Sequence, residues 1–223
     1  MGPAVPIDLR GGEIQQLADY YADFEQRMAG CQEFWKLERG QTFAEPADES
    51  WLAFEAGDWD TAARLIERRR ADLEAYHREL RQAGTRTARV RVVERPLSAY
   101  LQWELRLLRI RDEAGGPIRV LDAGAVAGLE TGGPLPEIYT MDETVMYEAV
   151  YDDSGVLDHA VRYRDADVVR AGRELIGDLY RRAEPIAAFF GREIDPAQPV
   201  LPDRPALPAD YLRSRGRPAP IRS

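Results

Sequence analysis

The stretch RVRVVERPLSAYLQWELR, residues 89–106, brings arginines, a serine, a tyrosine and a glutamate together at spacings that can hold an anion. If a strand ends near Glu94 and a helix starts at Ser98, the turn between them lies at the carboxyl end of a strand, where open α/β folds bind ligands. Arg95, Ser98 and the free amides of the helix N-terminus then face the anion, and Arg91 and Arg119 border the same region if their strands are neighbours. Tyr100 and Glu104, four residues apart, project from one side of the helix. Glu104 sits among Leu101, Leu105 and Leu108, so it is drawn inward and needs a cation, Arg91 or Arg119. In the ligand-binding reading the three arginines pair with the ligand, Tyr100 orients it and Glu104 holds an arginine in place. The same residues also suit a purely structural salt-bridge network.

A second stretch, FWKLERGQTFAEP at 34–46, mixes aromatic, charged and turn-forming residues. Gly40 and Pro46 argue for an ordered loop, docked by Phe34, Trp35, Leu37 and Phe43. Glu38 and Arg39 are its candidates for a partner or ligand-facing surface.

Other chemistries find little footing, and no catalytic residue, cofactor or metal is assigned. Neither G-x-G-x-x-G nor a P-loop occurs, and the glycine pairs at 11–12, 115–116 and 132–133 read as turns. Lys36 is the only lysine and Cys31 the only cysteine, which leaves no intrachain disulfide or thiolate-rich zinc site and suits a reducing cytoplasm. His77 reads as structural, and His159 beside Asp152, Asp153 and Asp158 lacks a familiar metal spacing. No serine lies in G-x-S-x-G. A net charge of -9 disfavours direct nucleic-acid binding, and no apolar run is long enough to span a membrane.

These side chains depend on an α/β frame: an N-terminal helical region (1–84), a small mixed sheet flanked by helices (85–191) and a Pro-rich extended tail (192–223). Apolar spacing predicts helices at 13–33, 50–57 and 59–83, the last capped by Asp60. Period-two alternation from 87 to 94 sets Ala88, Val90 and Val92 against Arg89, Arg91 and Val93. A helix from Ser98 to about Arg111 and a strand at 117–122 complete a parallel β–α–β crossover. Strands follow at 137–141, 145–151 and 156–163, then a helix over 166–190 interrupted at Pro185. Prolines at 196, 199, 202, 205 and 208 have the three-residue repeat of polyproline II.

EFWKLERGQTFAEP, SWLAFEAGDWDTA, RVRVVERPLSAYLQWEL, IRVLD and MYEAVYDDSGVLD together resemble a family of uncharacterised actinobacterial proteins. Its members are often encoded beside small helix-turn-helix regulators, which implies such a regulator as partner. The C-terminal half is similar to the single α/β module of phospholipase D-like proteins, but it lacks their catalytic histidine-x-lysine: neither His77-Arg78-Glu79 nor His159-Ala160-Val161 supplies it. The resemblance therefore implies a non-catalytic intracellular regulatory or sensory protein that binds a small anion or a protein partner. The alternative is a motif-poor enzyme of specialised metabolism acting on a carboxylate or phosphate.

Overall fold

The computed structural model describes residues 7–194; the proline repeat lies outside the described residues. The fold is α/β, as expected, and its strands form one mixed sheet. In chain order the elements are β1 (Glu13–Gln16), α1 (Leu17–Met28), β2 (Glu33–Glu38), α2 (Glu49–Glu55), α3 (Trp59–Arg68), α4 (Arg70–Gln82), β3 (Arg86–Val93), α5 (Ala99–Glu113), β4 (Ile118–Asp122), β5 (Ile138–Met141), β6 (Val145–Tyr151), β7 (Leu157–Tyr163), α6 (Ala166–Arg182), β8 (Glu184–Pro185) and α7 (Ile186–Glu193). The sheet order is β1-β7-β6-β5-β2-β3-β4-β8. Among the described residues, only the pairs β2–β3 and β3–β4 are parallel. Strands β1 and β2, from the first 84 residues, join the same sheet as those from 85–191.

The predicted crossover is present: β3 and β4 are parallel neighbours joined through α5, and Ser98 Oγ caps α5 by accepting from the Leu101 amide. Three expectations need correction. The helix expected from residue 13 begins at Leu17, because residues 13–16 pair with β7. The loop expected at 34–46 starts as a central strand, β2, hydrogen-bonded on both sides by β3 and β5. Its alternation was masked because the face carrying Lys36 and Glu38 is charged and nevertheless covered. The helix expected over 59–83 divides at Arg69, and Asp58 rather than Asp60 caps it, accepting from the Thr61 amide. The expected interruption of the last helix at Pro185 is present, as the short strand β8 paired with β4.

The two faces of the sheet are covered differently. On one, α6 lays Val169, Leu175, Ile176 and Leu179 over Leu37, Val90, Val92 and Ile138, each such buried side chain stabilising the fold by roughly 1.5–3 kcal/mol. On the other, α1 packs Tyr20 and Phe24 on Phe34, Tyr139 and Tyr147. Helix α5 lies over β3 and β4 on that side, flanked by α3, α4 and α7. Because α5 is enclosed by other helices, residues around much of its circumference are buried, including Tyr100, Glu104 and Arg111.

Candidate functional site

The parallel register of β2 and β3 sets Lys36 beside Arg89 and Glu38 beside Arg91, so four charged side chains share the face beneath α5. Arg91 has no solvent exposure. Its Nε donates to Glu104 Oε2 at 2.7 Å, and its Nη1 donates to the carbonyls of Val92 (3.1 Å) and Glu38 (3.3 Å). Its Nη2 has no partner among the described residues. Glu38 meets Lys36 Nζ at 2.9 Å and accepts from Arg89 Nη1 at 3.1 and 3.3 Å. Burial works against the Glu38 charge, but Arg89, Lys36 and Arg91 prevail and hold its carboxyl down to about 2.

Carboxylates collect at the other side of Arg91. The Tyr100 hydroxyl lies 3.3 Å from Glu104 Oε1 and 3.2 Å from Glu45 Oε1. A phenol has one hydrogen to donate, so both contacts are hydrogen bonds only when one carboxyl carries a proton. Burial, with the charges of Asp48 and Glu104, pushes Glu45 up to about 7; burial also raises Glu104, with Arg91 opposing. Glu137 Oε1 accepts the amides of Arg39, at 2.6 Å, and Gly40. Burial still raises it to about 7 against the pull of Arg91. Glu45 reaches partial solvent exposure, whereas Tyr100 and Glu104 are buried.

At the opposite end of this ionic layer, cations face a small cavity of about 20 Å³, lined by Phe34, Tyr76, His77, Arg89, Arg111 and Ile118 among others, with room for about one or two water-sized groups. His77 is 3 % exposed, and its Nε2 has no hydrogen-bond partner among the described residues. Burial and the neighbouring Arg111, Arg89 and Arg81 charges lower its imidazole to about 4, so it is neutral near pH 7. Burial and Arg89 likewise push Arg111 down to about 9. The Gly115–Gly116 turn makes this end possible: a Cβ at Gly116 would stand 2.3 Å from His77 Cε1, and one at Gly115 would strike the Arg81 guanidinium. Gly115 also has φ +106°, a conformation that favours glycine.

Of the residues singled out by sequence, the structure brings together Arg91, Tyr100, Glu104 and Glu38, with Arg91 rather than Arg119 as the partner of Glu104. Arg119 lies on the opposite sheet face, donating to the Tyr180 and Ala183 carbonyls at 3.3 and 3.2 Å and stacking over the Tyr180 ring. Arg95 stands at the surface, paired with Asp122 at 3.1 Å and with Glu193. Ser98 caps α5 and donates to the Gln41 carbonyl at 2.5 Å. Arg39 bridges Glu130 at 2.6 Å and Glu94 at 2.7 Å.

Lys36, Glu45, Arg89, Arg111, Glu137 and His77 were not singled out for this layer. Arg89 shares the period-two face of Arg91, and that was the available signal. The rest depend on strand pairing and helix packing that spacing does not encode.

No group of three or more His, Cys, Asp or Glu side chains among the described residues is placed to hold a metal ion. No described helix is long and apolar enough to cross a membrane. No curated protein matches the chain. A family described as a domain of unknown function (DUF6879) matches residues 22–191, a span that takes in the sheet from β2 to β8 and both ends of the ionic layer, and the chain belongs to that family.

Proposed function

We propose that this chain is a non-catalytic regulatory or sensory protein that takes up a small, singly charged anion in the cavity between His77, Arg89 and Arg111. One observation carries the reading: a buried imidazole nitrogen without a partner among the described residues lines a cavity beside two buried guanidiniums, Arg89 and Arg111. An anion there offsets the repulsion between Arg89 and Arg111 and accepts a hydrogen bond from the Nε2–H tautomer of His77. The cavity's size favours the smallest anions, a halide or formate, with nitrate at its upper limit, rather than a metabolite. At a ceiling of about −1.5 kcal/mol per heavy atom, a three-atom anion binds with a Kd no tighter than roughly 0.5 mM, which fits sensing of an abundant ion. The resemblance to proteins encoded beside helix-turn-helix regulators makes such a regulator the partner we propose, and the lone buried Cys31 suits a cytoplasmic setting.

Titration with formate and nitrate at constant ionic strength, followed by NMR shifts, tests this. Saturable binding that is lost in Arg111→Met and kept in the surface variant Arg95→Met is expected. Identical shifts in all three proteins would refute it.

A second reading, the motif-poor enzyme, draws on a different observation: the carboxyl of Glu45, raised to about 7 beside the Tyr100 hydroxyl, has the properties of a general acid or base. Its substrate would have to approach through the loop between β2 and α2, where Glu45 meets solvent.

A further inference from the structure

We propose that anion occupancy of the His77–Arg89–Arg111 cavity is coupled to uptake of a proton by the Glu45–Tyr100–Glu104 group, so that anion and proton bind together. This rests on the anion-binding reading above and adds its regulation.

The two sites are linked by a chain of alternating charges. Arg89 lines the cavity and also donates to Glu38. Glu38 contacts Lys36 and lies near Arg91, Arg91 donates to Glu104, and Glu104 reaches Glu45 through the Tyr100 hydroxyl. An anion in the cavity draws on Arg89 and weakens its hold on Glu38. The negative charge of Glu38 then acts more fully on Glu104, which it already disfavours as an anion. In this water-poor layer such effects are little screened. Protonating one carboxyl relieves them, and the same proton completes the hydrogen bonding that a single phenolic hydrogen leaves half made.

The groups facing the proton site can be named. Lys36 of β2, Tyr21 of α1, Tyr151 of β6, Tyr100 and Glu104 of α5, and Asp48 before α2 surround Glu45. Arg89 and Arg91 of β3, with Glu38 of β2, surround Glu104. Lys36 is the only cation among those facing Glu45, and carboxylates and phenols make up the rest, so a proton there is welcome. Partly exposed Glu45 gives it a route from solvent. Two other acceptors compete: His77, since an anion beside it also favours its charged form, and Glu137, raised to about 7 beside Arg91 and Glu38.

The test is formate affinity, followed by NMR, between about pH 6 and pH 8 in the intact chain and in Glu45→Gln and Tyr100→Phe, two changes outside the cavity. Coupling predicts that affinity falls by roughly five- to tenfold as pH rises through this range, and that both variants still bind formate with a flattened pH profile. An affinity constant over this range overturns the coupling and leaves anion binding standing. So does a pH dependence undiminished in both variants, which would place the proton on His77 or Glu137. If the unmodified chain binds neither formate nor nitrate at any pH, both proposals fall.

Discussion

The two faces of the central sheet solve the same covering problem with opposite materials. Under α6, Leu37, Val90, Val92 and Ile138 make a dry apolar layer; one residue along the same strands, under α5, Lys36, Glu38, Arg89 and Arg91 make an ionic one. Apolar packing stabilises directly. A buried ion pair of similar volume often contributes nothing net, because desolvation cancels the attraction. Apolar clusters on both sides of the sheet drive folding, and in the anion-binding proposal the ionic layer beneath α5 is retained for anion binding rather than for stability.

The contrast breaks most sharply at Arg91. Arg91→Met leaves Glu104 buried without its cation and should cost about 3–5 kcal/mol, with most of the loss recovered in the double variant Arg91→Met, Glu104→Leu. Denaturant unfolding of the three proteins measures this, and additive losses would show that the pair is not coupled. On the dry face, Leu37→Ala should cost about 2–5 kcal/mol through lost burial and a cavity, at every pH alike.

A smaller effect separates the faces by pH. Glu45 and Glu137 are raised to about 7 in the folded protein, above an ordinary carboxyl value of about 4.3 in the unfolded chain. Their protonated forms thus favour folding: the contribution is complete below the unfolded value and lost as pH rises through about 7. Between about pH 5 and pH 8, stability should fall by about 1–3 kcal/mol for each group. Glu45→Gln should remove its share of that slope, whereas an unchanged slope would exclude Glu45 as the titrating group. The smallest effect expected is Arg111→Met. Burial and Arg89 disfavour its guanidinium while Tyr76 and Glu38 favour it, so thermal unfolding should show a change within about 1 kcal/mol of zero in either direction, even as anion binding is lost. A large destabilisation would make Arg111 a structural residue.

Much of the frame was legible because local patterns declared it. Alternation marked β3, Ser98 marked the start of α5, and Pro185 marked the break between α6 and α7. The strand β2 was hidden because the residues that should have alternated apolar with polar instead place Lys36 and Glu38 on a covered face, where each charge is neutralised by a strand neighbour. Within the site, Glu104 was readable as a carboxylate among leucines that needed an arginine. His77 was not, because its significance comes from α4 packing against the turn at Gly115–Gly116, a meeting of segments about 40 residues apart in sequence. Arg95 and Arg119 carried the right chemistry for an anion, but one faces the surface and the other the α6 side of the sheet.

The central claim is that the cavity end of the ionic layer holds an anion, and the most direct measurement is the anomalous diffraction of crystals soaked in bromide. The account predicts a peak within hydrogen-bonding reach of His77 Nε2 and the guanidiniums of Arg89 and Arg111, absent in Arg111→Met crystals. Bromide bound elsewhere on the surface, with only water or nothing in this cavity, would contradict it.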